Sequence, residues 1–211
     1  MMSSQRIDAP MHAREAREVW FEADGARLFA SELGDGRPVV FIHGGLADHR
    51  AALFRVGQLA SAHRLVLPDL RGSGRSLHSG DLSWDRLADD VAALLEHLER
   101  AVVGGVSMGS AVALRLALRH PRLLQGLIVM SPVYPGTDRP LPEAALVAMQ
   151  TMREAGERAL DHGVEALYPL FEALPPPIRD TALEMVRSFD AASVAATTRF
   201  LVEPTADGLG A

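Results

Sequence analysis

Two rhythms of apolar and polar positions run along the chain, and each change of rhythm marks an element. Val19-Trp20-Phe21 and Leu28-Phe29-Ala30 flank Asp24-Gly25. An Asp-Gly pair between apolar runs predicts a hairpin, because a tight I′ turn needs positive φ at both central residues. Pro38-Val39-Val40-Phe41-Ile42 is continuously apolar, as expected of a strand covered on both faces, and ends at His43-Gly44-Gly45. A helix is expected after Asp48, with Leu53, Val56 and Leu59 on its inner side. Arg64-Leu65-Val66-Leu67 reads as the next strand and leads into Asp69-Leu70-Arg71-Gly72-Ser73-Gly74. Ser83 can cap a helix carrying Leu87, Val91, Leu94 and Leu98 at helical spacing. Ala101-Val102-Val103 predicts a third strand, followed by a Gly-rich turn and a helix over 108–119 that stops before Pro121. Leu127-Ile128-Val129-Met130 has the pattern of one more short buried strand.

Alternation of strand and helix with short links implies a mostly parallel sheet with helices on both faces. From about residue 137 the alternation stops. Residues 141–201 read as helical, rich in Ala, Leu and Met, and broken by Pro175-Pro176-Pro177. The expected organisation is a flexible segment 1–16, an α/β core over 17–136, a helical cap over 137–203 and a disordered tail 204–211.

Composition narrows the chemistry. The 211 residues carry 21 basic and 27 acidic side chains, a net charge of −6. That balance argues against a nucleic-acid partner. No apolar run reaches membrane-spanning length and residues 1–17 lack the apolar core of a signal peptide, so a cytoplasmic setting is expected. Cys, Lys and Asn are absent. Thiol nucleophiles, thiolate metal sites, lysine Schiff bases and phosphate-loop lysines are therefore excluded. His49 and Asp48 are adjacent, but no third ligand stands at metal spacing, and helix capping is the expected role of Asp48. No cofactor or metal is expected.

Gly105-Val106-Ser107-Met108-Gly109 fits G-x-S-x-G between a predicted strand and a predicted helix. In that context a sharp turn lifts the Ser hydroxyl off the sheet, and the small residues let strand and helix approach closely. The helix start directs free N–H groups at the reacting centre, so the N–H of Met108 is poised to meet a developing oxyanion. A second donor is expected from the N–H of Gly45, in the loop after residues 38–42.

These segments resemble the α/β-hydrolase family, in particular its capped esterases, lipase-like enzymes and cofactor-free haloperoxidases. The resemblance rests on His43-Gly44-Gly45, Asp69-Leu70-Arg71-Gly72-Ser73-Gly74-Arg75-Ser76 and Gly105-Val106-Ser107-Met108-Gly109, in order at the ends of successive predicted strands. It covers residues 17–135 closely and 136–203 loosely. It implies Ser107 as nucleophile, with Gly45 and Met108 as oxyanion donors. Val106 and Ser110 depart from the residues many relatives have there, Ser110 standing where Gly is common.

In this family the catalytic acid and then a His follow the nucleophile. After Met130 no further convincing strand can be read, so the chain reads as C-terminally truncated, with the last strands missing. Beyond Ser107 the His residues are His120, at a helix end, and His162, in the cap. His162, Asp138 and His43 remain as further candidates, each with a competing structural reading: cap residue, solvated loop carboxylate and anchor of the oxyanion loop. Asp69 and Arg71 are expected to pin a turn. The leading expectation is a hydrolase of small esters or related acyl substrates with weak activity or none. A non-catalytic interaction module is the alternative, since truncation leaves 126–130 at an uncharged sheet edge open to self-association. Haloperoxidase or C–C hydrolase chemistry on the same residues is a third.

Overall fold

The computed structural model describes residues 16–98, 100–131 and 142–202. Asp138 and the segments 1–15 and 203–211 lie outside the described residues. Strands β1 (Arg17–Ala23) and β2 (Ala26–Leu33) form an antiparallel hairpin. Its turn residues Asp24 and Gly25 sit at φ 43° and 71°, the double positive φ that the Asp-Gly pair predicts. Strands β3 (Pro38–Ile42), β4 (Arg64–Pro68), β5 (Ala101–Val106) and β6 (Leu124–Met130) complete one sheet in the order β1-β2-β4-β3-β5-β6. β2 pairs antiparallel with β4, and the β4·β3, β3·β5 and β5·β6 pairs are parallel.

Helices α1 (His49–Val56), α2 (Trp84–Glu96) and α3 (Met108–Arg119) connect the strands. Asp48 caps α1 by accepting the Arg50 N–H at 2.8 Å, and Ser83 caps α2 by accepting the Arg86 N–H at 3.0 Å. Both caps satisfy donors that a helix start leaves open. The period of two along the strands splits the core. Val40, Ile42, Val66 and Val103 pack on one face with Leu87, Val91 and Leu94 of α2 and Val112 and Leu116 of α3. Val39, Phe41, Leu65 and Leu67 face the other way, with Ala52 of α1.

A helical layer of α4 (Glu143–His162), α5 (Pro176–Val186) and α6 (Ala191–Val202) lies over the carboxyl ends of the strands. Thr197 of α6 donates its hydroxyl to the Gly72 carbonyl at 2.9 Å, and Ser193 accepts the His78 N–H at 2.8 Å. α4 and α6 pack so closely that a Cβ on Gly156 would lie 2.0 Å from Thr198 Oγ1. The helical stretch is broken at Pro175-Pro176-Pro177 as expected: a 3₁₀ segment ends at Phe171, and Pro176 and Pro177 then begin α5, where a missing N–H costs nothing. One expectation changes. The run 127–130 is not buried: Leu127, Ile128 and Val129 are 37%, 44% and 38% exposed. β6 pairs only with β5 among the described residues.

Candidate active site

Ser107 stands at the junction of β5 and α3 with φ 54° and ψ −120°. A left-handed φ on a non-glycine residue costs about 1–3 kcal/mol and persists only where the surroundings over-determine it. Here they do. A Cβ on Gly105 would lie 2.2 Å from the Gly109 carbonyl oxygen, and one on Gly109 would lie 2.4 Å from the carbonyl oxygens of Ile42 and His43. The two glycines of the motif therefore allow α3 to press against β5 and β3 at once. The Ser107 N–H donates to the Met130 carbonyl at 3.0 Å, and the Ser107 carbonyl accepts the Ser110 N–H at 2.9 Å. The Ser107 side chain makes no capping bond and is partly exposed. Its hydroxyl is left for other chemistry.

Met108 is the first residue of α3, so its N–H has no intrahelical acceptor. Gly44 runs beside the serine, with its Cβ direction ending 3.5 Å from Ser107 Cβ. Gly45 follows, and Leu201 of α6 covers it, the Leu201 Cδ1 lying 2.8 Å from where a Gly45 Cβ would stand. The loop after β3 thus passes directly over the serine and under the helical layer.

His43 is fully buried and both ring nitrogens are engaged. Nδ1 donates to the Gly44 carbonyl at 2.7 Å, and Nε2 accepts the Leu70 N–H at 3.1 Å. A carbonyl on one side and an N–H on the other dictate the neutral Nδ1–H tautomer. Burial pushes the pKa of His43 below the ordinary imidazole value, against the opposing pull of Asp69. The ring ties the loop after β3 to the loop after β4. His162 is exposed at the last residue of α4. Among the described residues no imidazole or carboxylate hydrogen-bonds the Ser107 hydroxyl.

Asp69 supplies the third group beside Asp48 and His49 that sequence spacing did not reveal. Ligand-type atoms of the three lie within 4.8 Å of one another. Their oxygens are already engaged. Asp69 accepts the His49 N–H at 2.7 Å, His49 Nδ1–H at 2.9 Å and the Arg75 N–H at 2.8 Å. Asp48 accepts the Arg50 guanidinium as well as its cap bond. Arg71 is buried and spends its guanidinium on Asp90, Ser79 and the Ala23 carbonyl, with two bonds to the Asp90 carboxylate at 2.6 and 2.8 Å. It holds the turn and is not free for a ligand. His120 bonds Asp89 of α2 at 2.6 Å from the end of α3.

Residues 37–174 match the model of the alpha/beta hydrolase fold. The chain belongs to the α/β-hydrolase fold family. Among α/β-hydrolase relatives, it is 36% identical over 119 residues to AB hydrolase superfamily protein YisY of Bacillus subtilis, covering 54% of this chain and 44% of that one. It is 32% identical over 197 residues to a probable proline iminopeptidase of Streptomyces coelicolor, covering 82% and 60%. The solved structure of a thermophilic esterase from Thermogutta terrifontis superposes with a TM-score of 0.69 at 27% identity, over 90% of this chain and 73% of that one. The chain thus spans about half the length of these two curated relatives. Among the described residues no helix is long and apolar enough to cross a membrane.

Proposed function

We propose that this α/β-hydrolase acts on a small ester or related acyl compound, with Ser107 as nucleophile and no cofactor. The observation that carries the reading is Ser107 itself, held at φ 54° on a strand-to-helix turn with its hydroxyl unspent on capping. Ser107 Oγ attacks the acyl carbon, its proton leaves to solvent water, and the carbonyl oxygen becomes an oxyanion met by the N–H groups of Met108 and Gly45. Collapse expels the alcohol, and water then releases the acid from the acyl-serine. With no base on the hydroxyl among the described residues, turnover by this chain is slow. His43 anchors the oxyanion loop instead of serving as that base, because both its nitrogens are occupied.

Release of p-nitrophenol from p-nitrophenyl acetate by the chain and by Ser107→Ala tests the reading. A slow release that Ser107→Ala removes is expected. Equal release by both proteins overturns the nucleophile; fast turnover abolished by the substitution keeps the nucleophile and overturns the impairment.

A second reading has its own observation, the three consecutive exposed apolar residues of β6. An uncharged edge without proline recruits another strand, so the chain self-associates through β6. Light scattering at a concentration on the order of tens of micromolar is expected to give more than the monomer mass, and Ile128→Lys to restore it. A clean monomer of the unsubstituted chain would sink this reading.

A further inference from the structure

Ser110 lies one helical turn beyond Ser107 and is fully buried. Its hydroxyl is saturated. Oγ accepts the Met130 N–H at 3.0 Å and stands 2.7 Å from two carbonyl oxygens, those of Gly105 and Met130, to which it donates its one proton. Met130 is the last residue of β6, and its carbonyl is the acceptor of the Ser107 N–H. Both polar groups of Met130 are therefore tied, directly or by a shared bond, to the turn that carries Ser107.

We infer that Ser110 is a positioning residue: its buried hydroxyl locks Met130 to the end of β5 and thereby fixes the backbone at Ser107. The inference rests on the reading of Ser107 as nucleophile for its consequence, though not for its geometry. Backbone repulsion favours release of a left-handed serine, and the Met130 carbonyl is what its N–H holds on to. β6 is the sheet's edge among the described residues, so no outer strand helps hold Met130 in register. Sheet pairing places Val106 opposite Met130, and Ser110 closes that pairing from the helix side. A hydroxyl accepts and donates at once, which neither Gly nor Ala can do. Loss of Oγ leaves the Met130 N–H without its acceptor beside a buried turn.

The test compares the chain with Ser110→Ala and Ser110→Cys, the latter replacing the hydroxyl by a larger thiol that makes weaker hydrogen bonds. Two readouts are taken: amide hydrogen exchange at Ser107 and Met130, and the rate at which a fluorophosphonate labels Ser107, located by peptide mass spectrometry. Ser110→Ala is expected to speed exchange at both amides about tenfold and to slow labelling by a similar factor, the size one lost hydrogen bond supports. Exchange in the body of α2 stays unchanged, and Ser110→Cys falls between. If Ser110→Ala does not fold, Ser110→Cys carries the comparison. Exchange and labelling within twofold of the unsubstituted chain overturn the inference. An unsubstituted chain that does not label at all overturns the nucleophile, while exchange at Ser107 and Met130 still decides whether Ser110 holds the turn.

Discussion

The two halves of the sheet are held together by opposite means. On the β1-β2-β4 side, buried charge does the work: Arg71 and Asp90 pair out of water, and Asp69 gathers the His49 and Arg75 amides. On the β3-β5-β6 side the interior carries no such ion pair among the described residues, and missing side chains bring the backbone together at Gly105 and Gly109. The outer edges differ in the same sense. β1 carries Arg17, Glu18 and Glu22, and Arg27 and Arg75 stack on its Trp20. β6 carries no charge and leaves Leu127, Ile128 and Val129 exposed. Charge pairing fixes direction and guards an edge, whereas close backbone approach aims a serine but tolerates no added atom. The proposed nucleophile sits on the second kind of scaffold.

The largest effect is expected on the charged side. Asp90→Ala leaves the Arg71 guanidinium buried without its carboxylate, and breaking such a pair costs about 3–5 kcal/mol. Urea unfolding monitored by circular dichroism checks it. A loss below about 1 kcal/mol would mean that the pair is replaceable and that the two halves are not held differently.

Gly109→Ala is the matching break on the other side. Its Cβ would stand 2.4 Å from two backbone carbonyl oxygens of β3 and the loop after it, so α3 must move away. Overpacking of this kind costs about 1–3 kcal/mol, and here it also displaces Ser107, so fluorophosphonate labelling should fall further than stability does. Stability and labelling that both match the unsubstituted chain would show that the close approach can relax.

The seam between the halves should respond to pH. His43 on the β3 side accepts the Leu70 N–H on the β4 side, and burial holds its folded pKa below the ordinary value. The unfolded chain then takes up a proton that the folded chain refuses. Stability is unaffected above about pH 6.5 and falls below it, by up to about 1.4 kcal/mol per pH unit, until the folded pKa is reached. The hydrogen bond from Arg115 lowers the pKa of Asp85. At Asp89 burial raises it, but the bonds from Arg119 and His120 together outweigh burial and the net shift is down. Their stabilising contributions are present above the ordinary carboxylate range and lost only as pH falls below about 4, so the windows separate. Unfolding curves from pH 8 to 5 that do not shift would contradict a buried neutral His43.

The succession of strands and helices along the chain, the Asp24-Gly25 turn, the caps at Asp48 and Ser83 and the strand-to-helix setting of Ser107 could all be read from local pattern, because each is decided within a few residues. What could not be read depends on distant chain. Asp90 reaches Arg71 from α2, and Asp69 joins Asp48 and His49 only when β4 lies beside β3. The apolar run of β6 has the composition of a covered strand, but cover is supplied by other elements, and composition does not say whether they are there. The prolines at 175–177 end one helical stretch and start the next, since both roles use the same missing N–H. Ser110 was visible as a departure from the family's usual glycine, and its spacing of one turn from Ser107 was the available signal. Its partner Met130 required the β5·β6 register.

The smallest effect is expected at the guarded edge. Glu18 and Arg75 meet at 2.6 Å on the exposed surface, and the Arg75 hydrogen bond lowers the Glu18 pKa. Exposed pairs of this kind are screened by salt and must hold two long side chains still, so their net contribution to folding is small. Glu18→Ala should leave the unfolding midpoint unchanged at physiological salt. Its consequence should instead be seen in association: Arg75 still stacks over Phe29 and Trp20, and Arg17 remains, so β1 keeps enough charge to stay unpaired. Light scattering on Glu18→Ala combined with Ile128→Lys isolates that edge, because β6 is then blocked. A monomer keeps the contrast between the edges, whereas association of the double variant would show that one carboxylate, and not the distribution of charge along β1, had been guarding it.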